Sequence, residues 1–369
     1  MKLWIVTGAF GHLGNTIIRQ LVERGEQVRG LVLPNDHSSA LDGVKIELFR
    51  GDICDPASLE SVFDLAGTGF RSSDVVVVHT AGIVSIASNH QEIVYKVNVL
   101  GTENVVNACL QHNIGRLIYT SSVHAIPEKP GSETITEVTV FNPEDVTGAY
   151  AKTKSEATRI VLEAVKKGLD AVVVHPSGII GAGDYGSAHM TQMVMDYLDG
   201  RLTASVRGGY DFVDVRDVSE GILAAAEKGR KGECYILSNY FYEVSELLKA
   251  LHQVSGCRKV TTVLPMFFAK LTAPLAELWY RMLKQPPLFT RYSLYTLESN
   301  AYFSHEKATA ELGYQPRPLL DTLSDTVQWL IDQKRVKLKT ASEKNKRIAE
   351  QFRLEHISAM LRNQQRQIG

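Results

Sequence analysis

The stretch Leu3-Trp4-Ile5-Val6-Thr7-Gly8-Ala9-Phe10-Gly11-His12-Leu13-Gly14 decides the fold. Leu3–Thr7 reads as a short buried strand, and residues 13–24 as the helix that follows it. Between them, glycines permit a tight turn, a close approach of backbone to ligand, and close packing of helix on sheet. A helix start in that place presents unpaired N–H groups and the positive end of its dipole, a natural seat for a pyrophosphate. Thr7, Gly8, Phe10, Gly11, His12, Leu13 and Gly14 are therefore the first candidate dinucleotide-binding residues. Their spacing is G-x-x-G-x-x-G rather than the commoner G-x-G-x-x-G. At about 7% glycine, three so spaced arise by chance in roughly one such chain in eight. Position lifts the pattern above a plain structural turn, because it follows a buried strand directly.

Outward from that turn, strands and helical patterns alternate. Residues 28–33, 46–50, 75–79, 116–120 and 171–175 are expected strands; 91–112 and 150–167 are expected helices. The run Val75–His79 (VVVVH) is apolar almost throughout, as a strand covered on both faces should be. Strands separated by helices of ten or more residues imply right-handed crossovers and a parallel sheet. After Pro176 the alternation loosens, with helices expected over 188–198, from 217 and over 319–332, and strands over 212–215 and 234–237. The expected fold class is thus α/β: a doubly wound parallel-sheet Rossmann domain with a smaller, mainly helical C-terminal substrate lobe. Residues 1–175 plus about 210–240 would bind the dinucleotide, 176–209 and 241–333 would cap the substrate, and 334–369 would form a basic helical tail.

More candidates lie at the carboxyl ends of the expected strands, where parallel sheets gather their ligands. Asp52 and Ile53 follow the third strand, where a carboxylate could accept from an adenine amine. Thr80, Ala81 and Gly82 follow the fourth, where small residues let a nucleotide lie against backbone. Each reads equally as an ordinary cap or turn. The second strand ends Leu31-Val32-Leu33-Pro34, with neither the acid that grips a ribose 2′-OH nor an adjoining Arg for a 2′-phosphate. Asp36 lies beyond the proline, and His12 or His37 could meet a phosphate. The missing carboxylate tilts the NAD(P) choice toward NADP and leaves NAD open.

Tyr150-Ala151-Lys152-Thr153-Lys154 places a phenol and an ammonium four residues apart, neighbours on one helical face. Free tyrosine titrates near ~10, too high for a base at neutral pH. A lysine one turn away, together with an oxidised nicotinamide, would stabilise the phenolate. Ser122 ends the strand before this helix and could hydrogen-bond the same substrate oxygen. The pattern Y-x-x-x-K is cheap, and Tyr280–Lys284 repeats it without a strand-end serine before it. Context separates the two: Tyr150 opens the helix that follows the serine strand.

The motifs TGAFGHLG, GDI, HTAG, NVLGT, YTSS, YAKTK, HPSGIIGAGD, FVDVRDV and LGYQPRPL run over residues 3 to about 333. Together they resemble the extended short-chain dehydrogenase/reductases of the NAD-dependent epimerase/dehydratase superfamily. The nearest branch is the dihydroflavonol-4-reductase-like one, beside the 3β-hydroxysteroid dehydrogenases. The resemblance implies Tyr150 as acid/base, Lys154 on the nicotinamide ribose and the phenol, and Ser122 on the substrate carbonyl. It implies that Asn98 supports the site, that Pro176, Ser177 and Ile179 line the nicotinamide, and that the protein is a homodimer through its long helices. Two departures bear on substrate. Ser122-Val123-His124-Ala125 stands where sugar-nucleotide 4,6-dehydratases carry Thr-Asp-Glu, which disfavours dehydration. Tyr210-Asp211 precedes the F-V-x-V strand where epimerases place a diphosphate-binding Arg, Arg207 being the nearest substitute.

The expected enzyme is an NAD(P)-dependent oxidoreductase moving a hydride between the nicotinamide and a ketone, aldehyde or secondary alcohol of a fairly apolar small molecule. The alternatives are a sugar epimerase with tightly held NAD and a non-catalytic dinucleotide sensor. His124, Tyr185, His189, Met193 and Tyr210 are the candidate substrate contacts. The segment from Met266 to Tyr302, with Phe267, Phe268, Leu271, Trp279, Leu288, Phe289, Tyr292 and Tyr295, could wall an apolar pocket or simply form the core of the lobe. His124 could equally be structural.

Bulk properties fit this reading. The 369 residues are 44% hydrophobic and 22% charged with a net charge of −1, which gives no pull toward nucleic acid. The balance is uneven: residues 334–369 hold ten Lys/Arg against three Asp/Glu, +7, leaving −8 on the rest. That tail, with Ile348, Phe352, Ile357, Ala359, Met360 and Leu361 on one broad face, could pack on a subunit, touch an anionic membrane weakly, or stay solvated. Four scattered cysteines without a C-x-x-C pair argue against a disulfide framework or structural zinc, so no metal is expected. With a strand opening at Leu3 and no apolar run of ~18 residues, neither a secretory leader nor a membrane span is expected, and the compartment is read as cytoplasmic.

Overall fold

The computed structural model describes residues 2–84, 91–271 and 291–339, with Arg347 and Gln351. Trp279, Leu288, Phe289, the pair Tyr280–Lys284 and most of the basic tail beyond residue 339 lie outside the described residues. Seven strands form one all-parallel sheet: β1 (Leu3–Thr7), β2 (Gln27–Val32), β3 (Glu47–Arg50), β4 (Val75–His79), β5 (Arg116–Thr120), β6 (Ala171–Pro176) and, last in the chain, Cys234–Leu237. Their order, starting from that last strand, is Cys234–Leu237, β6, β5, β4, β1, β2, β3. The chain therefore leaves β1 toward β2 on one side and returns to β4 on the other. The crevice where the strand order reverses opens above β1 and β4, where sheets of this kind bind nucleotides.

Helices α1 (His12–Glu23), α2 (Glu60–Phe63), α3 (Gln91–Tyr95), α4 (Gly101–Gln111) and α5 (Ala149–Lys166) belong to the crossovers. Side chains alternate across each strand, so the sheet has two separate apolar layers. Ile5, Val75, Val77, Leu117 and Tyr119 pack against α4 and α5 on one face; Val6, Val76, Val78, Ile118 and Val174 pack on the other. A π-helical turn, Lys96–Leu100, joins α3 to α4, so the long helix expected over 91–112 holds one wide turn, and Asn98 sits in it.

Beyond β6 lie elements that periodicity did not separate. A three-stranded sheet pairs β7 (Gly178–Ile180) and β9 (Gly209–Asp214) with Tyr240–Glu243, and a two-stranded one pairs β8 (Ser205–Val206) with Val263–Leu264. In chain order the latter strands are β10 (Cys234–Leu237), β11 (Tyr240–Glu243) and β12 (Val263–Leu264). Helices α6 (His189–Leu198), α7 (Val215–Lys228), α8 (Val244–Ser255), α9 (Arg291–Glu298), α10 (Glu306–Leu312) and α11 (Leu319–Asp332) complete the described chain. Inward residues of α6, α8 and α11, including Val194, Leu198, Leu247, Leu251 and Leu323, form a third apolar core. This helical C-terminal region stands over the carboxyl ends of the main sheet.

The start of the expected tail helix is different. Residues 334–339 are non-helical and fold back on the protein: the Lys339 N–H donates to the Leu198 carbonyl at 3.0 Å, and Arg335 donates to the Asp184 carbonyl at 2.5 Å and to the Ser187 hydroxyl. Arg335 also lies over the Trp329 ring. These polar contacts compete successfully with helix formation there.

Candidate active site

The glycine loop is built for close approach. Gly8 has φ +71, and a Cβ there would lie 2.9 Å from the Ala81 backbone; a Cβ on Gly14 would run into the Gly8 carbonyl oxygen. Thr7 is buried and meets the His79 Nδ1 through its hydroxyl at 2.7 Å, and the Thr80 hydroxyl donates to the Thr7 carbonyl at 2.7 Å. The two loops at the reversal of strand order are thus clasped together. His12 Nε2 donates to the Ala182 carbonyl at 3.0 Å, and burial lowers the ring's pKa. A neutral imidazole so engaged offers a phosphate no full positive charge, although the ring lines the cavity at the glycine loop. His37 is exposed.

A single cavity of about 600 Å³ begins at this loop. Gly8, Phe10, Gly11, His12, Leu13 and Gly14 line one end, and Thr80, Gly82, Pro176, Ser177 and Ile179 continue the wall. A Cβ on Gly82 would stand 3.2 Å from Asn98 Oδ1, a tight fit, and 3.5 Å from Lys154 Nζ, an ordinary contact. A dinucleotide fits this cradle. Asp52 and Ile53 fall outside the lining: Asp52 accepts from the Cys54 N–H at 2.9 Å, and Ile53 is buried under Gly101. Ala81 and Thr7 shape the wall from behind.

Ser122, Tyr150 and Lys154 meet midway along the cavity, all three buried. Gly148, at φ +102 against the Tyr292 ring, turns the chain into α5, whose first and second turns carry the phenol and the ammonium. Lys154 Nζ donates to the Thr120 carbonyl at 2.8 Å and lies 5.1 Å over the Tyr119 ring. Burial lowers the Lys154 pKa to about 8. The Tyr150 phenol is pushed up to about 12 by burial, with a hydrogen bond to the Ser122 hydroxyl opposing the shift. In the protein alone, desolvation therefore outweighs the help expected from the lysine, and the phenol holds its proton. Asn98 works at one remove: its Oδ1 accepts from the Ile83 N–H at 2.8 Å, and its Nδ2 donates to the Ile83 carbonyl and to Thr153. It fixes the loop after β4 against α5.

Past this junction the cavity turns apolar. Met190 and Met193 of α6, Leu202, Phe212 of β9, and Leu247 and Leu248 of α8 form its walls. Of the expected substrate contacts, His124, His189, Met193 and Tyr210 line it; Tyr185 instead packs edge-on against Trp329. The expected aromatic wall is mostly elsewhere. Tyr292 alone of it lines the cavity among the described residues, while Phe267, Phe268 and Leu271 are exposed and Met266 packs beside Leu294. The α8 face was missed although its apolar spacing, Val244, Leu247, Leu248 and Leu251, is helical. Asp211, also missed, accepts from the Ser177 hydroxyl at 2.5 Å and the Asn239 N–H at 2.9 Å, and burial raises it to about 6. Arg207 is exposed and outside the lining. Among the described residues no group of His, Cys, Asp and Glu could hold a metal ion, and no helix is long and apolar enough to cross a membrane.

Residues 4–238 match the NAD dependent epimerase/dehydratase family. The chain is 30% identical over 330 residues to "Sterol demethylase protein B" of Methylococcus capsulatus, covering 88% of this chain and 97% of that one. It is 30% identical over 336 residues to the "2-alkyl-3-oxoalkanoate reductase" of Stenotrophomonas maltophilia, covering 86% and 95%. Among solved structures, that of gox2253 superimposes with a TM-score of 0.78 at 31% identity over 91% of this chain and all of that one. Sequence match, strand order and the glycine cradle agree: the chain belongs to the NAD dependent epimerase/dehydratase family, the extended short-chain dehydrogenase/reductases, and is an NAD(P)-dependent oxidoreductase.

Proposed function

We propose that the protein is an NADP-dependent reductase/dehydrogenase of a neutral, elongated, largely apolar ketone or secondary alcohol. One observation carries this: the cavity that starts at the glycine loop passes Ser122, Tyr150 and Lys154 and ends among methionine, leucine and phenylalanine side chains. Residues 1–175 with about 210–240 make up the dinucleotide-binding domain, and 176–209 with 241–333 the lobe that caps the substrate. When bound, the dinucleotide supplies or accepts the hydride. Ser122 and Tyr150 hold the substrate oxygen, and Tyr150, whose proton burial retains, is the acid in the reducing direction. Lys154, fixed by the Thr120 carbonyl, stands where it can bind the nicotinamide ribose and stabilise the phenolate left behind. Asn98 keeps the wall opposite in place.

The chemistry of the lining supports a neutral substrate over a sugar nucleotide. Lys154 is the one Lys or Arg among the described lining residues, so a diphosphate in the apolar arm would lack a cationic partner. Arg50 supports NADP: at the end of β3 it lies beside the end of β2, and its Nη1 donates to the Pro34 and Asp36 carbonyls at 2.9 and 3.0 Å. The guanidinium missing from β2 in sequence is supplied by its neighbour strand, with donors to spare for a 2′-phosphate. Ile93, Tyr95 and Leu100, exposed along α3 and its wide turn, support a homodimer through the long helices. The reading is tested by following NADPH and NADH absorbance over a panel of cyclohexanone, a decalone, a ketosteroid and UDP-glucose. Consumption with the neutral ketones, rising with size and faster with NADPH, is expected; interconversion of the UDP-sugar without added reductant would overturn it.

A further inference from the structure

Behind the substrate cavity lies a second one, about 120 Å³, whose walls include Glu128, Asp145, Thr147, Ser299 and Asn300. Its polar lining and size suit about four waters, and exposed Glu128, Asp145 and Thr147 stand at its solvent side. The two cavities share His124 and Tyr210, which line both. Their rings stack at 5.6 Å, and the Tyr210 hydroxyl meets His124 Nε2 at 2.9 Å. The His124 ring also stands edge-on to Tyr150, 6.0 Å between centroids. A hydrogen-bonded imidazole–phenol pair is thus the partition between the buried acid and a polar, solvent-side chamber.

Reduction consumes one solvent proton per turnover, and Tyr150 is buried. On the cofactor side, Lys154 donates to the Thr120 carbonyl, and the Asn98 amide is tied to the Ile83 backbone and the Thr153 hydroxyl. We propose that His124 and Tyr210 relay protons from the second cavity to Tyr150, an inference that rests on the reductase reading. After Tyr150 has given its proton to the substrate oxygen, a phenolate remains. A proton from cavity water joins the free ring nitrogen of His124, the Nε2 proton passes to the Tyr210 oxygen, and the Tyr210 proton reaches the Tyr150 phenolate through one water or the new alcohol. Charge and atoms balance, and the imidazole, left in its other neutral tautomer, resets with cavity water. Burial holds His124 down to about 4, so it is neutral at working pH and passes a proton without storing one.

The test uses the full chain, NADPH and a decalone. His124→Phe is expected to lower kcat at least about tenfold, to leave Kd for NADPH within about twofold, and to raise the solvent deuterium isotope effect on kcat. Added imidazole should restore part of the rate. Should His124→Phe fail to fold, judged by NADPH binding, His124→Gln and Tyr210→Phe carry the same expectation, because neither can complete the relay. Unchanged kcat and isotope effect, or a loss confined to KM, would overturn the relay while leaving the reductase standing. A wild-type protein without turnover on any ketone would overturn the reductase itself, and the relay with it.

Discussion

The rim of the main sheet and the apolar arm of the cavity are built from opposite kinds of information. The rim is made of backbone: Gly8 and Gly14 are where they are because a Cβ on either would meet neighbouring backbone. The arm is made of side-chain bulk, set by how α6 and α8 pack over β9. Backbone constraints admit one residue type; bulk constraints admit several. A rim of this kind fixes what cofactor the protein uses, and an arm of this kind fixes what molecule is presented to it.

That contrast breaks most sharply at the phenol. Tyr150→Phe should cost about 10²–10⁴-fold in kcat while leaving NADPH affinity, measured by titration, within about twofold. In the arm, Leu248→Trp should lower kcat/KM for a decalone by about 10–200-fold and spare cyclohexanone. Equal losses for both would mean that the arm is not where substrate lies. Lys154 sharpens the comparison energetically, because the rim keeps a charge in a dry place. Its pKa falls from an ordinary 10.5 to about 8, so the unfolded chain binds the extra proton between those values and stability rises with pH across that window. Lys154→Met should therefore abolish turnover yet raise stability near neutral pH by about 1–3 kcal/mol, the gain shrinking as pH passes from 8 toward 10.5. Denaturant midpoints at several pH values check this. The smallest effect is at Arg50, exposed at the end of β3: Arg50→Ala should narrow the preference for NADPH over NADH by about tenfold.

How much was legible follows the same division. The strands from Leu3–Thr7 to Ala171–Pro176 were readable within a residue or two because most are covered on both faces and so are apolar and short, the exposed edge strand Glu47–Arg50 excepted. Ser122, Tyr150 and Lys154 were readable because strand end and helix start put them at fixed offsets, and the structure brings them together. The arm was not readable. Leu202, Phe212 and Leu248 look like core residues in sequence, and they are core residues that also face the cavity. The aromatic run beginning at Met266 attracted attention by composition, yet Phe267, Phe268 and Leu271 face outward. Arg50 and Asp52 show the same limit at the rim: two residues apart, one reaches the end of β2 and the other turns back to cap Cys54. Which does which depends on strand register, not on residue type.

The central claim is that hydride passes to a carbonyl held between Ser122, Tyr150 and the apolar arm. It is tested most directly with NADPH deuterated at the transferring ring carbon and a decalone, the product being analysed by mass spectrometry and NMR. The account predicts one deuterium at the carbinol carbon, on one face, with wild type, and none formed by Tyr150→Phe on the same timescale. Label absent from the product while cofactor is consumed, or labelled product from Tyr150→Phe at the wild-type rate, would contradict it.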